Sequence, residues 1–209
     1  MEETLIGIKE KRLPEIISIE GKCGVGKSTW LKSRGIFTEE TVDFKVDERT
    51  HDDSIEMIPF EEQMEFVTHK IEQFKNLLVD LETAEDDIYI DGSMLYNTAY
   101  GAAYYWWYSL RNFTEEKGRR FINSYLNTCY YLIDRDLPKG WQDRFTSVIL
   151  IPEKDSDIRE RILKRGRPSE VANIDNMLEI NNFFMDFLIV VLDHYKVKYT
   201  YETVYSRVD

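Results

Sequence analysis

The stretch "GKCGVGKST", residues 21–29, places three glycines, two lysines and two hydroxyl side chains in nine positions. Its first eight residues fit the pattern GxxxxGK[ST], in which main-chain amides surround a phosphate group. The stretch follows "EIISIE" (residues 15–20), an apolar segment that predicts a buried strand, and it precedes a predicted helix. Glycine permits the tight turn, and the N-terminal end of a helix favours an anion. The pattern and its context favour a phosphate-binding loop over a chance glycine-rich turn.

Within this loop, two side chains have the chemistry to act on a nucleoside triphosphate directly. Lys27 is expected to reach the outer phosphates, and the hydroxyl of Ser28 is expected to ligate magnesium. Cys23 is interpreted as a small filler. No NKxD-like guanine-reading motif accompanies the loop, which argues against a common GTPase. The predicted nucleotide-binding set is Gly21, Lys22, Cys23, Gly24, Val25, Gly26, Lys27, Ser28 and Thr29.

Composition limits the partners of the chain. Its 209 residues, 43% of them hydrophobic, suffice for one sizeable core, so a single domain over residues 1–209 is expected. The formal net charge of −12 argues against nucleic acid polymers and anionic membranes as partners. Two cysteines are too few for a disulfide framework and suggest a reducing, cytoplasmic setting. No segment approaches the roughly 20 apolar residues that span a bilayer.

The hydrophobic pattern predicts an α/β fold in which a five-stranded parallel sheet is flanked by helices, as in the three-layer P-loop kinase architecture. An apolar stripe from Phe60 to Leu81 predicts a helix of about six turns. Two helices are expected over 94–136, and others over 155–165 and 173–195. The predicted strands are "EIISIE" (15–20), "VDFKV" (42–46), "DIYID" (87–91), "SVILI" (147–151) and "VKYTY" (197–201).

Carboxylates follow two of these strands, at the sheet edge where α/β proteins bind ligands. Asp91, in "IYIDGS", is positioned to hold magnesium through water, although an aspartate before glycine is also ordinary turn chemistry. Glu48, or less favourably Asp47, in "FKVDERT", would face the same crevice and take a proton from an attacking hydroxyl. The alternative there is an acidic turn without a catalytic role.

Three arginines follow the fourth predicted strand. Arg161 and Arg165 are four residues apart and share one helix face, and Arg167 comes directly after Gly166. Guanidinium groups on one face repel each other unless anions lie between them, and phosphate matches their fork of donors. An exposed basic helix paired with Glu160 and Glu170 is the alternative.

In the order of its motifs, the chain resembles the deoxyribonucleoside kinase family and related small P-loop kinases, over about residues 15–195. The glycine-rich loop is generic to P-loop proteins, whereas the arginine segment is more discriminating. The four matching segments are "IEGKCGVGKST" (19–29), "VDE" (46–48), "DGS" (91–93) and "RILKRGRPSE" (161–170).

The resemblance implies ATP as phosphoryl donor and magnesium as its companion. It implies that Glu48 is the base acting on a 5′-hydroxyl and that Asp91 serves magnesium. It also implies that a lid of about residues 155–170 closes its arginines, Arg161, Arg165 and Arg167, over the ATP phosphates. A homodimer is a further expectation from the family, as is a role in nucleotide salvage.

The same resemblance points to the acceptor side. Glu170 would meet the sugar 3′-hydroxyl, and Gln63 and Asn97 lie where the family reads the base. An exposed glutamine on an amphipathic helix is an equally good account of Gln63. Four aromatic residues of the following helix are candidates to stack on a base, but core or dimer packing explains such a stripe more often: Tyr96, Tyr100, Trp106 and Trp107.

One position departs from the family. Gly92 stands where the family has an arginine after the strand-three acid. Losing one such cation typically costs about a hundredfold in rate. Another arginine such as Arg49 or a lid residue takes its place, or the acceptor differs from an ordinary nucleoside, or activity is weak.

The sequence therefore leads to one hypothesis with two alternatives. The hypothesis is an ATP- and magnesium-dependent kinase that moves the γ-phosphoryl group to the 5′-hydroxyl of a small-molecule deoxynucleoside. The alternatives are a thymidylate-like nucleoside monophosphate kinase, for which Arg49 is a candidate phosphate ligand, and a catalytically impaired nucleotide-binding module. A kinase for a DNA end or a modified base is disfavoured by the negative charge.

Overall fold

The computed structural model describes residues 12–36 and 57–205. In these ranges four parallel strands form one sheet in the order β2-β1-β3-β4. The α/β prediction is confirmed, and four of the five predicted strands are present; the remaining one, 42–46, lies outside the described residues. The strands are β1 (Ile16–Gly21), β2 (Ile88–Asp91), β3 (Phe145–Pro152) and β4 (Lys198–Val204).

Two of the long helices begin at a residue whose side chain caps them. Ser93 caps α3 by accepting hydrogen bonds from the amides of Leu95 and Tyr96, and Thr114 caps α4 by accepting one from Lys117. A short 3₁₀ turn, Trp141–Arg144, leads from α4 into β3. The helices are α1 (Lys27–Ser33), α2 (Phe60–Asp80), α3 (Met94–Asn112), α4 (Glu115–Asp136), α5 (Ser156–Arg165), α6 (Pro168–Ala172) and α7 (Ile174–His194).

The sheet separates two apolar clusters because side chains alternate between its faces. Ile19 of β1 joins a small cluster with Leu31 of α1 and Leu150 of β3. Ile16, on the opposite face of β1, joins the large cluster built by α2, α3, α4 and α7. Ser18 and Glu20 share that second face with Ile16, so a strand that reads as apolar carries buried polar groups towards its carboxyl end.

The predicted lid, residues 155–170, packs against α7. Ile158 and Ile162 of α5 pack with Ile174 of α7 in a third apolar cluster. α5 and α6 together cover most of the predicted lid, 155–170. Arg161 and Arg165 are therefore carried on a helix with its own small core, whereas Arg167 lies in the short connection between α5 and α6.

Two further observations concern the described ranges. No helix among those residues combines the length and the apolar character that crossing a bilayer requires. Cys23 and Cys129 are both free thiols, and burial raises the pKa of Cys129 to about 12.

Candidate functional site

The predicted phosphate loop connects β1 to α1, as the sequence pattern requires. Two of its glycines are needed for geometric reasons. Gly21 has φ of 135°, and a Cβ there would lie 2.7 Å from the Leu150 carbonyl oxygen. Gly24 has φ of 84°, and a Cβ there would lie 2.9 Å from a side-chain carbon of Ile162. Both positions therefore exclude larger residues through backbone conformation and through close neighbours.

The loop is held from outside by α7. Asn181 is 1% exposed, and its carboxamide contacts both polar groups of the Cys23 main chain. The Cys23 amide donates to Asn181 Oδ1 at 3.1 Å, and Asn181 Nδ2 donates to the Cys23 carbonyl at 3.1 Å. The Cys23 amide is thus engaged by the protein, and so is the Val25 amide, which donates to the Lys22 carbonyl at 3.1 Å.

α5 holds the next part of the loop. The Lys22 ammonium pairs with Asp155 at 2.9 Å, at the start of α5. Arg161, on the same helix, donates a hydrogen bond to the Val25 carbonyl. Since a Gly24 Cβ would also meet Ile158 and Ile162, the lid helix and the loop are in direct contact. The loop and the predicted lid are therefore neighbours in space.

Ser28 and Asp91 come together from different elements. Ser28 Oγ, in the first turn of α1, donates to Asp91 Oδ2 at the end of β2 over 2.6 Å. Ser28 is exposed, so solvent and ligands reach the pair. A hydroxyl and one carboxylate, completed by phosphate oxygens and water, form the hard-oxygen donor set that magnesium prefers. The described residues contain no group of three or more His, Cys, Asp or Glu side chains that would bind a metal without such help.

The side chain of Lys27 extends towards the first residue of the loop. Its Nζ donates to the Gly21 carbonyl at 3.3 Å and lies 4.6 Å from the ring centre of Tyr96. Thr29, the last residue of the predicted set, is exposed in the first turn of α1. The ammonium of Lys27 is therefore placed at the inner side of the loop, where its charge faces the Tyr96 ring and the carboxyl end of β1.

The carboxylate of Glu20, the residue directly before the loop, is buried. Glu20 Oε1 accepts hydrogen bonds from Ser18 Oγ at 2.5 Å, Ser93 Oγ at 2.7 Å and the Ser93 amide at 3.2 Å. Burial raises the pKa of Glu20, while these hydrogen bonds and the charge of Lys27 offset part of the increase. Because Ser93 also caps α3, Glu20 joins the start of the loop to the turn that follows Asp91.

The lid arginines lie in two settings. Arg165 Nη2 is 2.5 Å from Glu170 Oε2, and Arg167 Nη1 is 3.6 Å from Glu170 Oε1. The Glu170 side chain is only 15% exposed, whereas those of Arg165 and Arg167 are 38% and 53% exposed. Arg161 instead contacts the loop backbone. The structure thus brings together Arg165, Arg167 and Glu170, with one carboxylate shared by two guanidinium groups, so the three side chains keep a net positive charge.

Two tyrosines of α3 lie between the loop and the lid. The rings of Tyr96 and Tyr100 are stacked with centroids 6.1 Å apart, and both pack on Phe184. Burial raises the pKa of each well above its ordinary value, and Cys23 of the loop adds to the rise. Trp107 is 2% exposed and donates from Nε1 to Glu179 at 2.8 Å, so it belongs to the core contact with α7.

The two candidate base-reading residues have different surroundings. Gln63 lies where α2 meets α3, because a Cβ on Gly101 would be 3.0 Å from its Nε2 and 2.1 Å from the Tyr125 hydroxyl. Asn97 donates from Nδ2 to the Ser93 carbonyl at 2.9 Å within α3. Asn97 and Gly101 are four residues apart, so they share one face of α3. Both candidates therefore border the same junction.

Some predicted groups lie outside the described residues, namely Asp47, Glu48 and Arg49. Gly92 is described, with φ of 76° and its amide donating to the Ile19 carbonyl at 3.0 Å. An arginine in this left-handed conformation would be strained. The local backbone therefore explains why glycine stands here.

Sequence reasoning missed Glu20 and Asn181 as contributors to the site. Glu20 was visible as a carboxylate at an inward position of a buried strand, and Asn181 as an amide between apolar residues of a long helix. Buried polar side chains of this kind require partners, so the pattern signals a structural or functional contact.

Comparison with known proteins establishes the fold. Two solved structures of a deoxyadenosine kinase from M. mycoides resemble the chain, one with bound dATP and one with the products dCMP and dCDP. The TM-scores are 0.59 and 0.58, the identities are 21% and 20%, and each match covers 93% of this chain and 92% of the other. No family model matches the sequence, and no curated protein sequence matches it significantly. The chain therefore has the P-loop kinase fold.

Proposed function

We propose that the protein is a kinase that transfers the γ-phosphoryl group of ATP to the 5′-hydroxyl of a deoxynucleoside, with magnesium. The observation that carries the proposal is the 2.6 Å hydrogen bond between Ser28 and Asp91. It joins the hydroxyl of a phosphate loop to the acid at a neighbouring strand end, which is the pairing that phosphoryl transfer to and from ATP requires. The deoxyadenosine kinase that shares the fold supports a nucleoside as acceptor.

On the donor side, the chain supplies a preorganised cradle. Amides of the loop and the N-terminal end of α1 would bind the phosphates, and Lys27 would leave the Gly21 carbonyl to reach the outer ones. Ser28 and Asp91 would hold magnesium, which supplies neutralisation of charge on the phosphate oxygens. The loop needs little reorganisation because α5 and α7 already hold its backbone.

Two arginines of the lid would become available to the phosphates when ATP binds. Arg165 and Arg167 share the single carboxylate of Glu170 in the structure. A triphosphate offers them a more highly charged partner, and Glu170 would then be released to accept a hydrogen bond from the sugar 3′-hydroxyl. Guanidinium groups placed around the transferring group stabilise the charge that it carries in the transition state.

The acceptor step is assigned to Glu48. Its carboxylate would take the proton of the 5′-hydroxyl as that oxygen forms a bond to the γ-phosphorus. The bond between the γ-phosphorus and the bridging oxygen breaks, and ADP leaves with the electron pair. Tyr96, Tyr100, Gln63 and Asn97 would line the side of the site from which a nucleoside approaches. A homodimer and a cytoplasmic location remain expectations from the sequence.

A catalytically impaired nucleotide-binding module is the second candidate, because Gly92 supplies no cation beside the reacting atoms. One assay separates the candidates: the protein is incubated with magnesium and ATP and each of the four deoxynucleosides or their monophosphates, and ADP and phosphorylated products are measured. A nucleoside kinase produces deoxynucleoside 5′-monophosphate. Diphosphate from a monophosphate acceptor would instead favour the monophosphate kinase, and ATP retention without any ADP would favour the binding module.

The role of Glu48 has its own test with a matched neighbour. Glu48→Gln is expected to lower turnover about a hundredfold or more, with ATP affinity nearly unchanged, because the general base is lost. Asp47→Asn removes the same charge one residue earlier and is expected to have a much smaller effect. Equal turnover in Glu48→Gln and the parent protein would refute the assignment.

A further inference from the structure

The clamp between Asn181 and Cys23 joins residues 158 positions apart. Asn181, on α7, is almost completely buried. Both of its hydrogen bonds to the loop are made with main-chain atoms and not with side chains. Its oxygen accepts from the Cys23 amide, and its nitrogen donates to the Cys23 carbonyl, both at 3.1 Å. One side chain therefore reproduces the pair of hydrogen bonds that a neighbouring strand would make.

We propose that Asn181 is a positioning residue for the triphosphate, acting through the backbone of Cys23. The clamp fixes the Cys23 carbonyl against α7. A carbonyl oxygen released from α7 is free to turn into the loop, where it would repel phosphate oxygens. Holding this carbonyl on the α7 side leaves the inner surface of the loop to amides and to Lys27.

Asparagine is suited to this position because it offers an acceptor and a donor at the spacing of one peptide group. Leucine has a similar size but offers neither group. Aspartate has the same shape, but its ionised form offers only acceptors, so its second oxygen would face the Cys23 carbonyl. Because this position is almost completely buried, the protonated form of an aspartate is favoured there; protonation restores a donor, so the defect should decrease as the pH falls.

The inference rests on the proposed binding of ATP by this loop. Its test uses MgATP binding measured by calorimetry between about pH 6 and pH 8, on the whole protein and on three variants. Asn181→Asp and Asn181→Leu remove the clamp. Asn182→Asp is the matched control, because it adds the same charge at the adjacent exposed residue. The charged groups of the cleft beside Asn181 are common to both aspartate variants: Lys22, Asp155, Arg159, Asp175 and Glu179.

The expected result at pH 8 is a dissociation constant for MgATP about tenfold or more higher in Asn181→Asp than in Asn182→Asp, since two buried hydrogen bonds are lost or reversed. The difference should shrink toward pH 6. Asn181→Leu should bind weakly at every pH without recovery. In steady-state assays, KM for MgATP should rise in both Asn181 variants, while KM for the acceptor stays near its original value.

Two outcomes would contradict the inference. If Asn181→Asp and Asn182→Asp bind MgATP equally at all pH values, the clamp does not position the triphosphate. If Asn181→Leu remains folded by circular dichroism and binds like the parent protein, the asparagine serves only to fill space. Failure of the parent protein to bind MgATP would overturn the donor site itself, and this result is distinct from both.

Discussion

The proposed donor and acceptor sides of the site are built in different ways. On the donor side, one continuous stretch of nine residues is held by polar contacts from α5, α7 and β2. On the side proposed for the acceptor, α2, α3 and α4 bring aromatic side chains and the Gln63 amide together from distant parts of the sequence. A phosphate group is the same in every nucleotide, so its site can be a local motif. An acceptor is specific, and its site depends on how helices pack.

The largest expected effect comes from the lysine on the donor side. Lys27→Ala should lower kcat/KM about a hundredfold to a thousandfold, because it removes the cation that stabilises the transferring phosphoryl group. ATP binding should weaken as well. Lys32→Ala, an exposed lysine one turn further along α1, should leave activity unchanged. Initial rates over a range of ATP concentrations check both variants, and similar losses in the two would contradict the local role of Lys27.

The Ser28–Asp91 contact predicts a coupled loss. Ser28→Ala and Asp91→Asn should each lower turnover about a hundredfold, since each removes part of one magnesium site. The double variant should be much less impaired than the product of the two losses implies, because the pair acts as a unit. A magnesium titration of activity should shift to higher concentration in both single variants. Fully multiplicative losses would show that the two residues act separately.

Matched glycine substitutions compare the two sides directly. Gly101→Ala would place a Cβ 2.1 Å from the Tyr125 hydroxyl, and such overpacking typically costs about 1–3 kcal/mol. It should lower Tm and raise KM for the acceptor. Gly24→Ala would strain the loop at φ of 84° and press on Ile162, so it should raise KM for MgATP. If both variants change the same KM, the division into two sides is wrong.

The smallest expected effect concerns Glu20 and its pH dependence. The groups that face it are Ser18, Lys27, Ser93 and Tyr96. Its pKa is raised in the folded protein, so the folded state holds the proton more tightly than the unfolded state does. Stability is therefore lost as the pH rises through the interval between the unfolded and the folded pKa.

Glutamine reproduces the neutral form of Glu20 and has no such loss. Glu20→Gln should match the parent protein in Tm at low pH and exceed it by a few degrees above the folded pKa. Turnover should nevertheless fall modestly, because the neutral glutamine no longer attracts the Lys27 ammonium electrostatically. Thermal unfolding from pH 4 to pH 8.5 checks this, and parallel Tm curves for the two proteins would contradict the raised pKa.

Much of the fold was readable from local patterns. "EIISIE" became β1 with a shift of one residue, and the apolar stripe beginning at Phe60 became α2. "SVILI" predicted the centre of β3, whose flanking residues from Phe145 to Pro152 extend the ladder through pairing with β1 and β4. The break between α3 and α4 at Phe113 and Thr114 was not assigned, because an aromatic-rich segment carries a continuous helical period.

The site was predictable only where its chemistry is local. The loop and the position of Asp91 at a strand end follow from short motifs, and the pairing of Arg165 with Glu170 matches the alternative interpretation of the arginine segment. The hydrogen bonds between Asn181 and Cys23 link residues 158 positions apart, and those between Ser93 and Glu20 link residues 73 positions apart. Such contacts depend on how distant elements pack, which no short sequence pattern shows. The sequence also could not show that Arg161 contacts the Val25 carbonyl in this structure.

The most direct test of the central claim is phosphorus NMR of one reaction mixture containing the protein, magnesium, ATP and a deoxynucleoside. The expected result is equal formation of ADP and deoxynucleoside 5′-monophosphate with at least one of the four deoxynucleosides, and loss of both signals with Lys27→Ala. Unchanged ATP with all four deoxynucleosides, or equal product from Lys27→Ala, would contradict a phosphoryl transfer centred on this loop.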